Sequence, residues 1–209
     1  MLGLGSLLVS GSVIEDLNDF VVFKKQINFA SDDGGFEARS SNIGTTTIAN
    51  GQTADGGTNN DWLKVTFGAD QTSTLCGIQN GDFFDGAFDF TNGQFVAVFF
   101  DVFLSDGFAG EDGNTPPVSL RAEIAGKNFS READGSSGVS STNALNLNYG
   151  IANNAGDRYR SITSSTPPES LLIKFNSSND SPVNGDFFFV RNIRVVAATK
   201  DLGTFDPFA

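Results

Sequence analysis

A chain of 209 residues with 39% apolar content is long enough for one large domain with a core of its own. Its formal charge of -12 argues against a basic surface for nucleic acid or an anionic membrane. It holds no histidine, which excludes a Ser-His-Asp triad and removes the commonest general base and transition-metal ligand. The single Cys76 excludes an intrachain disulfide.

Residues 1–20 read as an N-terminal docking arm. Leu2, Leu4, Leu7, Leu8, Val9, Val13 and Ile14 lie on a backbone punctuated by Gly3, Gly5 and Gly11, too short and flexible to fold alone. No Lys or Arg precedes the apolar run, so it does not read as a secretory leader, and no stretch reaches the roughly 18 apolar residues that would span a bilayer. Ser12 and Glu15 fit a capping box that starts a helical turn running to about Phe20.

Residues 21–197 read as a β-sandwich. Strands are expected at 21–29, 45–49, 62–67, 72–78, 94–104, 118–124, 128–132, 145–149, 157–163, 170–175 and 186–196, each bounded by Gly, Asn, Asp or Pro. Short strands at such spacing imply an all-β jelly-roll sandwich, with an extended N-terminal arm and a C-terminal tail at 198–209. No internal repeat interrupts it. The loops 50–60, 106–117 and 134–143 are long and polar.

The most informative stretch is 94–104. Val96, Val98, Phe100, Val102 and Leu104 alternate with Phe95, Ala97, Phe99 and Phe103, so both faces of this strand are apolar and both need cover. The run from Phe187 to Val196 repeats the pattern. One face of each can close a sandwich core; the other needs a loop, a terminal arm or another subunit. Phe205 and Phe208 in the tail, with the leucines of the arm, are the candidate assembly residues.

Candidate chemistry is sparse. Asp32, Asp33 and Glu37 could supply oxygen ligands to calcium, as could Glu111 and Asp112, but neither group has the spacing of an EF-hand loop. Trp62, Tyr149 and Tyr159 are the aromatics able to stack on a sugar ring, although such residues are more often half-buried strand aromatics. Cys76 lies in an apolar context and reads as a small core residue.

The segment from Ile27 to Glu37, followed by 62–67, resembles the opening of carbohydrate-binding jelly rolls of the galactose-binding-like type. The strands 95–104 and 118–124 resemble their central pair, and the run from Asp186 to Val195 resembles their closing strand. Arg191 stands where that closing strand usually has Asp; if that Asp serves the family's structural calcium site, the site is not carried over here. The leader from Met1 to Gly11 is similar to the starts of small virion proteins of marine and cyanobacterial tailed phages.

These resemblances imply a jelly roll mounted on a tailed-phage particle as head decoration, collar or tail protein, at the virion surface. The expected partners are copies of itself in a homo-oligomer such as a trimer, capsid or tail proteins, and a host surface glycan, with no nucleic acid and no membrane insertion. Function is then by assembly, without catalysis, and no cofactor is expected beyond a structural calcium at Asp32, Asp33 and Glu37. The alternative is a stand-alone carbohydrate-binding module or lectin.

Overall fold

The computed structural model describes residues 15–39, 46–54, 58–71, 76–86, 94–105, 120–124, 127–129, 159–162, 170–175, 182–203 and 205–208. Eleven strands run among them: β1 (Val21–Ile27), β2 (Glu37–Arg39), β3 (Thr46–Gln52), β4 (Trp62–Phe67), β5 (Gly77–Asn80), β6 (Gln94–Leu104), β7 (Leu120–Ile124), β8 (Lys127–Phe129), β9 (Arg160–Ile162), β10 (Leu171–Phe175) and β11 (Phe187–Ala198). The chain is an all-β, two-sheet sandwich. The larger sheet has the order β3-β4-β11-β6-β9, with β1 also on β11, and the smaller has the order β2-β5-β10-β7-β8.

The two-faced strands are neighbours: β6 and β11 pair antiparallel at the centre of the larger sheet. Their inner side chains, among them Val98, Phe100, Val102, Phe188, Val190 and Val195, pack with Ile78, Ala122, Ile124, Leu171 and Ile173 of the smaller sheet. This is the main core, and each fully buried large side chain in it contributes roughly 1.5–3 kcal/mol. Gly77 lets β5 approach β10: a Cβ there would meet the Ile173 carbonyl oxygen at 2.1 Å.

β11 is longer than any single partner, and it shares one of its edges between two strands. Phe187 to Val190 pair with β4, while Ile193 to Ala198 pair with β1. The change of partner coincides with a bulge. Arg191 is opposite Asp101 and Arg194 is opposite Phe99, so Asn192 and Ile193 together face the single residue Phe100. Asn192 takes φ 53°, a left-handed conformation that asparagine tolerates. The extra residue resets the alternation, so that Phe188 and Val190 before it and Ile193 and Val195 after it all point to the core.

Sequence and structure differ at several places; β1 stops at Ile27, two residues short of the expected end, and β3 runs on to Gln52, into the expected loop 50–60. The helical turn is a four-residue 3-10 helix, Leu17–Phe20, whose N-cap is Asp16, with its carboxylate accepting from the Asn18 N–H at 2.9 Å; Ser12 lies outside the described residues. β2 was not expected at all. The strand expected at 72–78 is described only from Gly77 and extends to Asn80, and that expected at 145–149 lies outside the described residues. At the other end, β11 continues two residues further than expected, to Ala198.

Candidate functional site on the outer face of the larger sheet

The outer face of the larger sheet carries the surplus apolar surface, and the chain covers its two halves differently. Over the half formed by β1 and the far ends of β6 and β11, the tail folds back. Leu202 joins the core, and Phe205 and Phe208 pack against it half-buried. Asp206 pairs with Arg194, the Tyr159 hydroxyl donates to the Phe205 carbonyl at 2.9 Å, and the Lys24 ammonium lies 5.5 Å from the Phe208 ring centre. Beneath the tail, Ala97, Phe99, Val196 and Ala198 are fully buried.

The other half has a separate aromatic floor. Trp62, Phe103 and Phe189 form it with Ala54, and Phe187 packs against its edge. Antiparallel register arranges the face in three rows, with strands about 4.8 Å apart. Thr47 is opposite Thr66, which is opposite Phe187. Ala49, Lys64, Phe189 and Phe103 form the middle row. Gln52 is opposite Trp62, and Arg191 is opposite Asp101.

Long cationic side chains cover this floor. The Arg191 guanidinium lies 4.4 Å from the Trp62 ring centre, with Nε 3.1 Å from an Asp101 carboxylate oxygen and Nη1 3.3 Å from an Asp61 oxygen. Lys64 Nζ stands 4.1 Å from the Phe187 centroid and 5.7 Å from that of Phe189. Cation–π contacts of this kind contribute about 0.5–1 kcal/mol at partly exposed sites. Solvent therefore meets Lys64, Arg191, Asp61, Gln52 and the edge of Phe187, beside the short side chains of Thr47, Ala49 and Thr66. The arrangement offers hydrogen-bond donors and acceptors across four strands.

Two of the expected sugar-stacking residues, Trp62 and Tyr159, are not brought together. Trp62 is 3% exposed and lies under Arg191, so it serves as floor and its ring is not offered to solvent. Tyr159 is 3% exposed and holds the tail on the opposite half. Tyr149 lies outside the described residues, as do Leu2, Leu4, Leu7, Leu8, Val9, Val13 and Ile14. Phe205 and Phe208 contact the chain's own sandwich.

The expected calcium ligands are also separated in role. Asp32 accepts from the Gly34 N–H at 2.8 Å and Asp33 from the Gly35 N–H at 3.0 Å, so both shape the turn before β2. Glu37 instead lines a shallow depression of about 580 Å³ with Asp82, Asp85, Asn80 and Lys25. No three His, Cys, Asp or Glu side chains converge to hold a metal among the described residues; Glu111 and Asp112 lie outside them. Arg191 already supplies the positive charge between Asp61 and Asp101.

Lys64, Asp61, Asp101, Gln52, Thr47, Thr66 and Phe187 were not singled out from sequence. Two signals pointed towards part of the group. Asp101 is a lone carboxylate inside an apolar strand, and Arg191 is, with Arg194, one of two cations inside another; buried charges of that kind need a partner.

The fold and this face define a two-sheet β-sandwich with a polar, aromatic-floored surface on its larger sheet. No protein-family model matches the chain, and no curated protein matches it in sequence. Among solved structures it is similar to a mutant family 29 carbohydrate-binding module complexed with mannohexaose, at 10% identity and a TM-score of 0.33, covering 86% of this chain and 94% of that one. It is also similar to the N-terminal carbohydrate-binding and catalytic modules of Clostridium thermocellum endo-1,4-β-D-xylanase 10B complexed with xylohexaose, at 12% identity and a TM-score of 0.25. That match covers 86% of this chain and 28% of the xylanase chain. Neither structure bears on the virion expectation.

Proposed function

We propose that the chain is a saccharide-binding module whose ligand lies on the open half of the larger sheet's outer face. One observation carries this reading: among the described residues the tail covers half of that face, and the other half carries a layer of fixed polar groups. Arg191 is held on two sides by Asp61 and Asp101, so its remaining N–H groups are oriented before any ligand arrives. Thr47, Thr66 and Gln52 add hydroxyl and amide groups on the same face, and the aromatic floor gives them a rigid base. Vicinal sugar hydroxyls suit such a set of donors and acceptors.

Affinity electrophoresis and calorimetry against mannohexaose, xylohexaose and oligosaccharides of glucose, galactose and uronic acids test the reading. Retardation or heat with at least one of them is expected, weakened about tenfold in a Gln52→Ala/Thr66→Val double variant that loses two hydrogen-bonding groups. Absence of binding to every class overturns it.

A further inference from the structure

Lys64 differs from the arginines of the same sheet face. Arg191 is matched by Asp61 and Asp101, and Arg194 by Asp206. The Lys64 ammonium rests on the Phe187 and Phe189 rings, and no described carboxylate lies within ion-pair distance of it. It stands in the middle row of the open half, between Ala49 and Phe189 across the strands. Ala49, its neighbour across β3, is small and exposed. Among the described residues four formal charges stand on this half, Lys64 and Arg191 against Asp61 and Asp101, and these balance on a chain of net charge -12.

We propose that the saccharide taken by this face carries a carboxylate, as a uronic acid residue does, and that the carboxylate pairs with Lys64. The inference rests on the saccharide-binding reading above and names its ligand class. A neutral sugar leaves the ammonium over its rings with water as its only other partner, whereas a carboxylate meets it on a partly desolvated floor, where a charge-assisted hydrogen bond is strongest. The overall negative charge narrows the class further. A run of consecutive uronates gains from its first carboxylate and is repelled by the chain through the others. The ligand is therefore a mostly neutral oligosaccharide with an isolated uronate.

Calorimetry with a xylo-oligosaccharide bearing one glucuronic acid branch, the same compound as its methyl ester, and oligogalacturonate tests this in the full chain. The free acid should bind about tenfold more tightly than the ester. Lys64→Gln should abolish that difference while leaving the melting curve folded, Lys64→Arg should restore it, and oligogalacturonate should bind more weakly than the branched acid. Equal affinity for acid and ester in the unaltered chain overturns the inference and leaves the saccharide reading standing. An acid preference that survives Lys64→Gln also overturns it. Failure of every probe, neutral sugars included, takes down the underlying reading as well.

Discussion

The two halves of the larger sheet's outer face start from similar apolar strands and end differently. One is covered by the docked tail: Leu202, Phe205 and Phe208 pack on the sandwich, and Asp206 pairs with Arg194, whose guanidinium lies 5.2 Å from the Phe99 ring centre. The other is covered by side chains, with the Lys64 ammonium lying over Phe187 and Phe189 and the Arg191 guanidinium over Trp62. Both solutions keep water off the rings beneath, since Phe99 is 0% exposed and Trp62 3%. Their surfaces nevertheless differ. A docked segment consumes the face it covers, whereas cations laid on rings still present their outward N–H groups at the surface. The second kind of cover leaves a surface able to bind.

The largest expected effect breaks the covered half. Phe99→Ala should destabilise the chain by about 3–5 kcal/mol in urea denaturation, the usual result of emptying a closed aromatic site. A loss below about 1 kcal/mol would mean that the tail does not seal that half in solution.

Much of this division was legible in the sequence. Unbroken apolar alternation at 94–104 and from Phe187 to Val196 required cover on both sides, and the structure places β6 and β11 together at the centre with both faces covered. Strands 62–67 and 94–104 matched their expected bounds because their alternation was clean. β2 was missed because Glu37, Ala38 and Arg39 have no periodicity of their own; their pairing with β5 is a tertiary decision. The bulge at Asn192 was equally invisible. A one-residue insertion in a strand that is apolar on both faces leaves no break in the pattern. Trp62 and Tyr159 show the limit for the site: aromatic identity says a ring is present, while its cover depends on Arg191 and on the tail, both distant in sequence.

Cys76 belongs to the inner core, beneath neither outer half, and provides a reference. Burial pushes its thiol from 9.0 up to about 11. The folded chain keeps the thiol neutral while the unfolded chain ionises it, so this contribution is intact below pH 9 and lost as pH rises towards 11. The loss amounts to about 3 kcal/mol at most. Comparing the pH dependence of stability with that of Cys76→Ala should show the difference confined to that window, and identical slopes would count against the burial.

A smaller effect is expected at the tail's clasp. Asp206→Ala removes the carboxylate from Arg194 in a pair whose side chains are each 10% exposed. The penalty should be about 2 kcal/mol, below that of a fully enclosed pair because solvent reaches part of it. Amide exchange in residues 201–208 should accelerate, while β3 and β4 stay protected. Uniform acceleration across the sheet would show that the two halves are one cooperative unit.

The smallest stability effect should come from the open half, and there it separates most clearly from function. Phe187 is half-buried at the margin of the aromatic floor, with the Lys64 ammonium over one side and the Phe189 ring 5.5 Å away in an edge contact. Phe187→Ala removes only part of a buried ring and one cation–π contact, so about 1 kcal/mol of stability should be lost. The same change frees Lys64 from the ring that positions it and opens the first row beside Thr66. Saccharide affinity should therefore fall at least tenfold while the urea midpoint barely moves, a disproportion that a purely structural patch would not produce. If Phe187→Ala lowers stability as much as Phe99→Ala does, the open half is closed in solution, and the contrast between the two halves fails with it.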